Sequence, residues 1–160
     1  MVRAIPKDFR TVTPHLTIEG ASDAIKFYKK AFGAKELGRM KAGDGKRVMH
    51  AMIMVGNSVI MLNDDFPEWG SKGAKALGGT PTAIHLYVED ADKTFKKAVK
   101  AGATVAVPMA DMFWGDRYGM VTDPFGHRWA IATHKKDLTP AEIAKAAKAA
   151  MASHPRPEAD

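Results

Sequence analysis

The chain has no cysteine among its 160 residues, which excludes disulfides, thiolate metal sites and cysteine nucleophiles. No apolar run approaches the roughly 20 residues that cross a bilayer. The first residues, MVRAIPKDFR, lack the apolar stretch of a secretory signal. A cytoplasmic location without a membrane partner is therefore expected. Neither a phosphate-binding Gly-rich loop, nor Gly-x-Gly-x-x-Gly, nor the Gly-x-Ser-x-Gly elbow occurs. Nucleotide cradles and serine nucleophiles go with them.

What remains is a globular composition, 46% apolar and 26% charged, with Lys+Arg 24 against Asp+Glu 18 and a net charge of +6. Lys26, Lys29 and Lys30 share one predicted helix, and Lys93, Lys96, Lys97 and Lys100 another. Both sets lie opposite apolar stripes, as the solvated faces of amphipathic helices do. No aromatic residues interleave with them as a base-stacking platform requires. No nucleic-acid partner is expected, and the excess charge favours small anions instead.

An internal repeat organises the chain. His15-Leu-Thr-Ile-Glu19 returns as His85-Leu-Tyr-Val-Glu89. A helical pattern follows each, over 21–32 and 91–101, and ends at Gly33 and Gly102. Strand material comes next, at 35–40 and 104–108. Then come hairpins: 48–55 with 58–63 across Gly56-Asn57, and 117–122 with 128–133 across Asp123-Pro-Phe-Gly126. The prediction is an α+β protein of tandem βαβββ modules forming a curled mixed sheet with a cleft, plus a C-terminal helix. Its parts are a leader (1–10), one domain (11–138) and a helix with a frayed tail (139–160). Within the domain, module one spans 11–63, a linker 64–82 and module two 83–134. Thr139-Pro-Ala-Glu142 carries the capping signals of the last helix, and Pro155-Arg-Pro157 should fray.

Strand alternation sorts side chains between faces. Leu16, Ile18, Leu86, Val88, Ile53, Val55, Ile60, Leu62, Trp129 and Ile131 fall toward the helices. His15, Thr17, His50, Met52, Met54, Met61, Asn63, His85, Tyr87, Ala130 and His134 fall on the opposite face, with Met52 opposite Met61. That face is too polar for a dry core and suits a ligand.

The repeat and its motifs resemble the vicinal oxygen chelate superfamily of glyoxalase I, extradiol dioxygenases and bleomycin-resistance proteins, and within it the PhnB-like branch. The resembling stretches are Thr13-Pro-His-Leu, Met49-His-Ala-Met, Gly115-Asp-Arg-Tyr-Gly and Asp123-Pro-Phe-Gly-His-Arg-Trp. The resemblance implies a homodimer that completes the cleft. In metal-using members it also implies four side chains on one divalent ion, at positions that fall here on Thr13, Met61, Ala83 and Ala130. Ala has no donor, Met is too soft for Mg, Mn, Fe or Ni, and neutral Thr is poor. Bleomycin-resistance members bind their ligand without metal.

The expected function is metal-free, cofactor-free sequestration of a small, partly aromatic or anionic ligand. Its candidate residues are His15, His50, Met52, Met61, His85, Tyr87, Trp114, Arg117 and Tyr118. The alternative is a metal-dependent lyase, isomerase or dioxygenase that holds a divalent ion on His15, His50 and His85. Two further choices stay open. Asp116 and Arg117 could form a structural contact with each other, and Trp69 could be a lid or an anchor for its loop.

Overall fold

Each half of the chain folds as strand, helix and three strands, as the repeat predicts, in a computed structural model that describes residues 2–153. Module one comprises β1 (His15–Ile18), α1 (Ala21–Phe32), β2 (Lys35–Lys41), β3 (Val48–Val55) and β4 (Ser58–Asp64). Module two comprises β5 (Ala83–Tyr87), α2 (Ala91–Ala101), β6 (Thr104–Asp111), β7 (Asp116–Thr122) and β8 (Arg128–His134). Helix α3 (Pro140–Ser153) follows. The fraying expected around Pro155 lies outside the described residues.

The helices begin in different ways at equivalent places. Gly20, in the left-handed conformation, precedes α1, and the Asp64 carboxylate at the end of β4 accepts from the N–H groups of Gly20 and Ala21 at 2.9 and 2.8 Å. In module two Asp90 caps Lys93, while Thr133 accepts from the Ala91 N–H at 2.8 Å and donates to the Val88 carbonyl. The chain thus binds the last strand of each module to its own helix start. Strand β6 runs past Pro108, because register shifts between Val105 and Ala110 let an edge strand carry a proline.

Within each sheet the strand order is the same, β1-β4-β3-β2 and β5-β8-β7-β6. The parallel pair sets His15 opposite Met61 in one sheet and His85 opposite Ala130 in the other, so these residues are repeat equivalents. The helix-facing rows, with Ile18, Ile53, Leu62, Val121, Trp129 and Ile131 fully buried, make one core with α1 and α2.

The expected single curled sheet with a cleft is not what forms. There are two separate four-stranded sheets, neither closed, with β1 and β2 at the edges of one and β5 and β6 at the edges of the other. Side chains rather than sheet hydrogen bonds join the modules. Trp129 meets the rings of Tyr28 and Phe32, with centroids 5.1 and 4.6 Å away, and the Tyr28 hydroxyl donates to Asp123 at 2.8 Å. A junction satisfied by packing leaves the outer sides of β1 and β5 without a strand partner among the described residues.

Candidate functional site

The open face of the first sheet carries His50, Met52 and Met61 half-buried and His15 exposed. Met52 stands opposite Met61 as the two-residue turn at Gly56-Asn57 predicts. The rings of His15 and His50 approach edge to face, with centroids 5.7 Å apart.

The open face of the second sheet carries an aromatic group. His85 lies 4.7 Å from Tyr87 and 5.8 Å from Tyr118 by ring centroids, and Trp114 lies 5.5 Å from Tyr118. Beneath it sits Asp116, only 3% exposed, a residue the sequence reading did not single out for the site. One carboxylate oxygen accepts from the Tyr87 hydroxyl at 3.0 Å and the Trp114 indole N–H at 3.1 Å. The other meets His134 Nδ1 at 2.8 Å. Burial pushes the Asp116 carboxyl upward, but the hydrogen bonds from His134, Tyr87 and Trp114 outweigh it and hold it below the ordinary value. The same bond to Asp116 raises the Tyr87 hydroxyl. His134 also meets Asp137 at 3.0 Å through Nε2, and hydrogen bonds to Asp137 and Asp116 raise its pKa. With both ring nitrogens engaged, His134 is a clamp between carboxylates and has no nitrogen free to act as a general base.

Arg117 stands elsewhere. It follows Asp116 in a strand and so projects to the other face, where it grips Asp92 of α2 through two bonds of 2.9 Å. The contact considered between Asp116 and Arg117 does not form, for the same reason. The structure also divides the three histidines of the metal-dependent alternative: His15 and His50 share the first sheet, and His85 belongs to the second. Among the described residues no group of three or more His, Asp or Glu is placed to hold a metal. The positions that the resemblance assigns to a divalent ion hold Thr13, Met61, Ala83 and Ala130, a donor set that does not fit one.

A cavity of about 570 Å³ opens where the modules meet, along the free edge of β5. Phe32, Ile60, Ile84 and Leu86 give it apolar walls, and Arg10 and Lys97 add two cations. His85 and Tyr87 line it as well, so the cavity and the aromatic group share two residues. Neither Arg10 nor Lys97 has a carboxylate partner among the described residues. No spacing rule pointed to them, since Arg10 lies before the first strand and Lys97 on a helix face that reads as solvated. Trp69 is exposed and stacks on the buried Phe66 at 4.9 Å between ring centroids.

The sequence profile of the Glyoxalase/Bleomycin resistance protein/Dioxygenase superfamily matches residues 12–131. The chain is 46% identical to the Mycobacterium tuberculosis protein Rv0887c over 145 residues, 89% of this chain and 82% of that one. The structure of the Arabidopsis thaliana gene product At5g48480 superposes with a TM-score of 0.62 at 28% identity, covering 79% of this chain and 99% of that one. TioX from Micromonospora sp. ML1 superposes with a TM-score of 0.61 at 25% identity, covering 81% and 100%.

Proposed function

The chain belongs to the Glyoxalase/Bleomycin resistance protein/Dioxygenase superfamily, and from that premise we propose that it sequesters a small organic anion with a planar aromatic part, without a divalent metal. The observation that carries this reading is the cavity at the module junction. Its lining combines apolar walls, two rings of the aromatic group and two cations that have no carboxylate partner among the described residues. A volume of about 570 Å³ is in the usual range for a site that encloses a small molecule. Tyr87 and His85 offer ring faces to a planar group, while Lys97 and Arg10 attract a carboxylate or similar anion. Asp116 acts through Tyr87 and Trp114, fixing both polar ends so that the rings keep their orientation.

Within the superfamily the reading extends to the PhnB-like branch, on the Asp123-Pro-Phe-Gly-His-Arg-Trp stretch, and to action as a homodimer in the cytoplasm. The unpaired edges of β1 and β5 support self-association, since an exposed strand edge is a template for another chain.

The test is calorimetric titration with 2-naphthoate as probe and naphthalene-2-methanol as its neutral match. The expected result is binding of the acid, weakened about tenfold or more in Tyr118→Ala and in Lys97→Ala. Absence of binding by 2-naphthoate and other planar acids, or binding indifferent to both substitutions, would sink the reading.

A further inference from the structure

We propose that a second, smaller pocket, walled by the linker between the modules, binds a doubly charged phosphate group through Lys72, His127 and Arg128. It has a volume of about 260 Å³ and lies among β1, linker residues 72–82 and the start of β8. None of Thr13, Met61, Ala83 and Ala130 lines it, and it shares only Ile84 with the larger cavity.

Close packing fixes the walls of this pocket. Gly73 of the linker lies so near β1 that a Cβ there would be 3.1 Å from the Thr17 carbonyl oxygen and 3.2 Å from the Glu19 nitrogen. On the other side, a Cβ on Gly126, in the turn before β8, would be 3.2 Å from that of Ala74. Between these contacts the linker curls on itself, with the N–H groups of Leu77, Gly78 and Gly79 donating to the Gly73, Lys75 and Ala74 carbonyls at 3.1, 3.0 and 2.8 Å. The His127 ring then ties the turn to β1, its Nε2 donating to the Thr17 carbonyl at 3.1 Å. Lys72 and Arg128, far apart in sequence, are thereby brought to one pocket.

The positive charge there is uncompensated. Among the described residues Lys72 makes no ion pair, and no Asp or Glu lines the pocket. Arg39, Arg47 and Arg117 each hold a carboxylate, whereas the Arg128 guanidinium donates only to the thioether of Met120, at 3.0 Å. Sulfur is a weak acceptor for a group with five N–H donors, so most of the fork is left for a ligand. With Nε2 committed to Thr17, His127 retains Nδ1.

Two fixed charges, one of them a planar fork, suit a dianionic oxyanion. The size agrees, since the volume falls just below the range of sites that enclose drug-sized ligands. Leu16, Leu77, Pro81 and Ile84 make the remaining wall apolar. Free phosphate and a monoester with a short apolar tail share the chemistry that this pocket reads.

The experiment is calorimetric titration of the whole chain with inorganic phosphate, butyl phosphate and butanesulfonate, at one ionic strength and a pH where both phosphates are dianions. One equivalent of phosphate compound should bind, and the singly charged sulfonate should bind about tenfold more weakly or worse. Lys72→Gln and Arg128→Gln should each weaken phosphate binding about tenfold or more, while Lys97→Gln leaves it unchanged. Tighter binding of butyl phosphate identifies an organic monoester as the ligand, and tighter or equal binding of inorganic phosphate identifies the free ion. Thermal unfolding of each variant separates loss of a charge from loss of the fold. The proposal is overturned if neither phosphate binds in the millimolar range, or if binding survives the paired Lys72 and Arg128 substitutions. It is equally overturned if the sulfonate binds as well as the phosphates, or if Lys97→Gln weakens binding as much as Lys72→Gln. The 2-naphthoate titration reads Tyr118 and Lys97, so failure there leaves the phosphate result standing, and the converse holds.

Discussion

The hydroxyl of Tyr28, on the helix of the first module, donates to the carboxylate of Asp123 in the hairpin turn of the second at 2.8 Å. Both groups are buried, and burial beside that carboxylate raises the tyrosine pKa well above its ordinary value. Asp123 also accepts from the Trp129 indole N–H at 2.9 Å and from the Phe125 and His127 N–H groups, so one side chain closes the turn and joins the modules. Tyr28→Phe removes one of these bonds and should cost about 1–2 kcal/mol. Asp123→Ala strands several buried donors and should cost about 3–5 kcal/mol. Urea midpoints of the two variants check the order, and equal losses would count against Asp123 as the common acceptor.

Gly119 is a glycine because of its neighbours. A Cβ there would lie 2.5 Å from Met109 Sδ and 2.9 Å from the Phe95 ring edge. Methionine can swing aside, but the ring packed under α2 cannot. Gly119→Ala should therefore destabilise by about 1–3 kcal/mol, and adding Met109→Ala should recover only part of it. A double-mutant cycle by denaturant unfolding measures both numbers.

The clamp on His134 predicts a pH dependence. Its folded pKa is raised from 6.5 by hydrogen bonds to Asp137 and Asp116. The stabilisation is thus fully present below the unfolded value and is lost as pH rises through the folded one. The melting temperature of the wild type should fall across that window, and His134→Gln should flatten the fall. Melting curves between pH 5 and 9 decide it, provided both proteins are compared at one ionic strength.

Arg117→Ala should leave 2-naphthoate binding unchanged, because its guanidinium is spent on Asp92 across the sheet from the aromatic group. The pair is partly exposed, with side chains 28% and 43% accessible, so the stability loss should stay within about 1 kcal/mol. Trp114→Ala should weaken binding instead, since it frees one hydrogen bond of Asp116 and the edge contact to Tyr118. Parallel titrations of the two variants against one probe make the comparison.

Much of this was legible in the residues themselves. The recurrence of His-Leu-x-x-Glu, the glycine stops at Gly33 and Gly102 and the turn at Gly56-Asn57 fix helix bounds and the Met52–Met61 register, because local propensity and alternation act over a few residues. The same alternation sends Trp129 inward and His85 and Tyr87 to the open face. Asp64, Asp116 and Asp123 were not legible as hubs, since an aspartate at a strand end or turn reads as solvated until the chain buries it under three or four donors. Nor did spacing foretell that Arg10 and Lys97 meet at one cavity. By itself the sequence determined two βαβββ modules and which side chains share a sheet face. Tertiary structure alone decided that the modules join through Tyr28, Phe32, Trp129 and Asp123 instead of a continuous curled sheet. The physical reason is that burial and buried hydrogen bonds between segments 95 residues apart are worth more than any preference the strand edges carry.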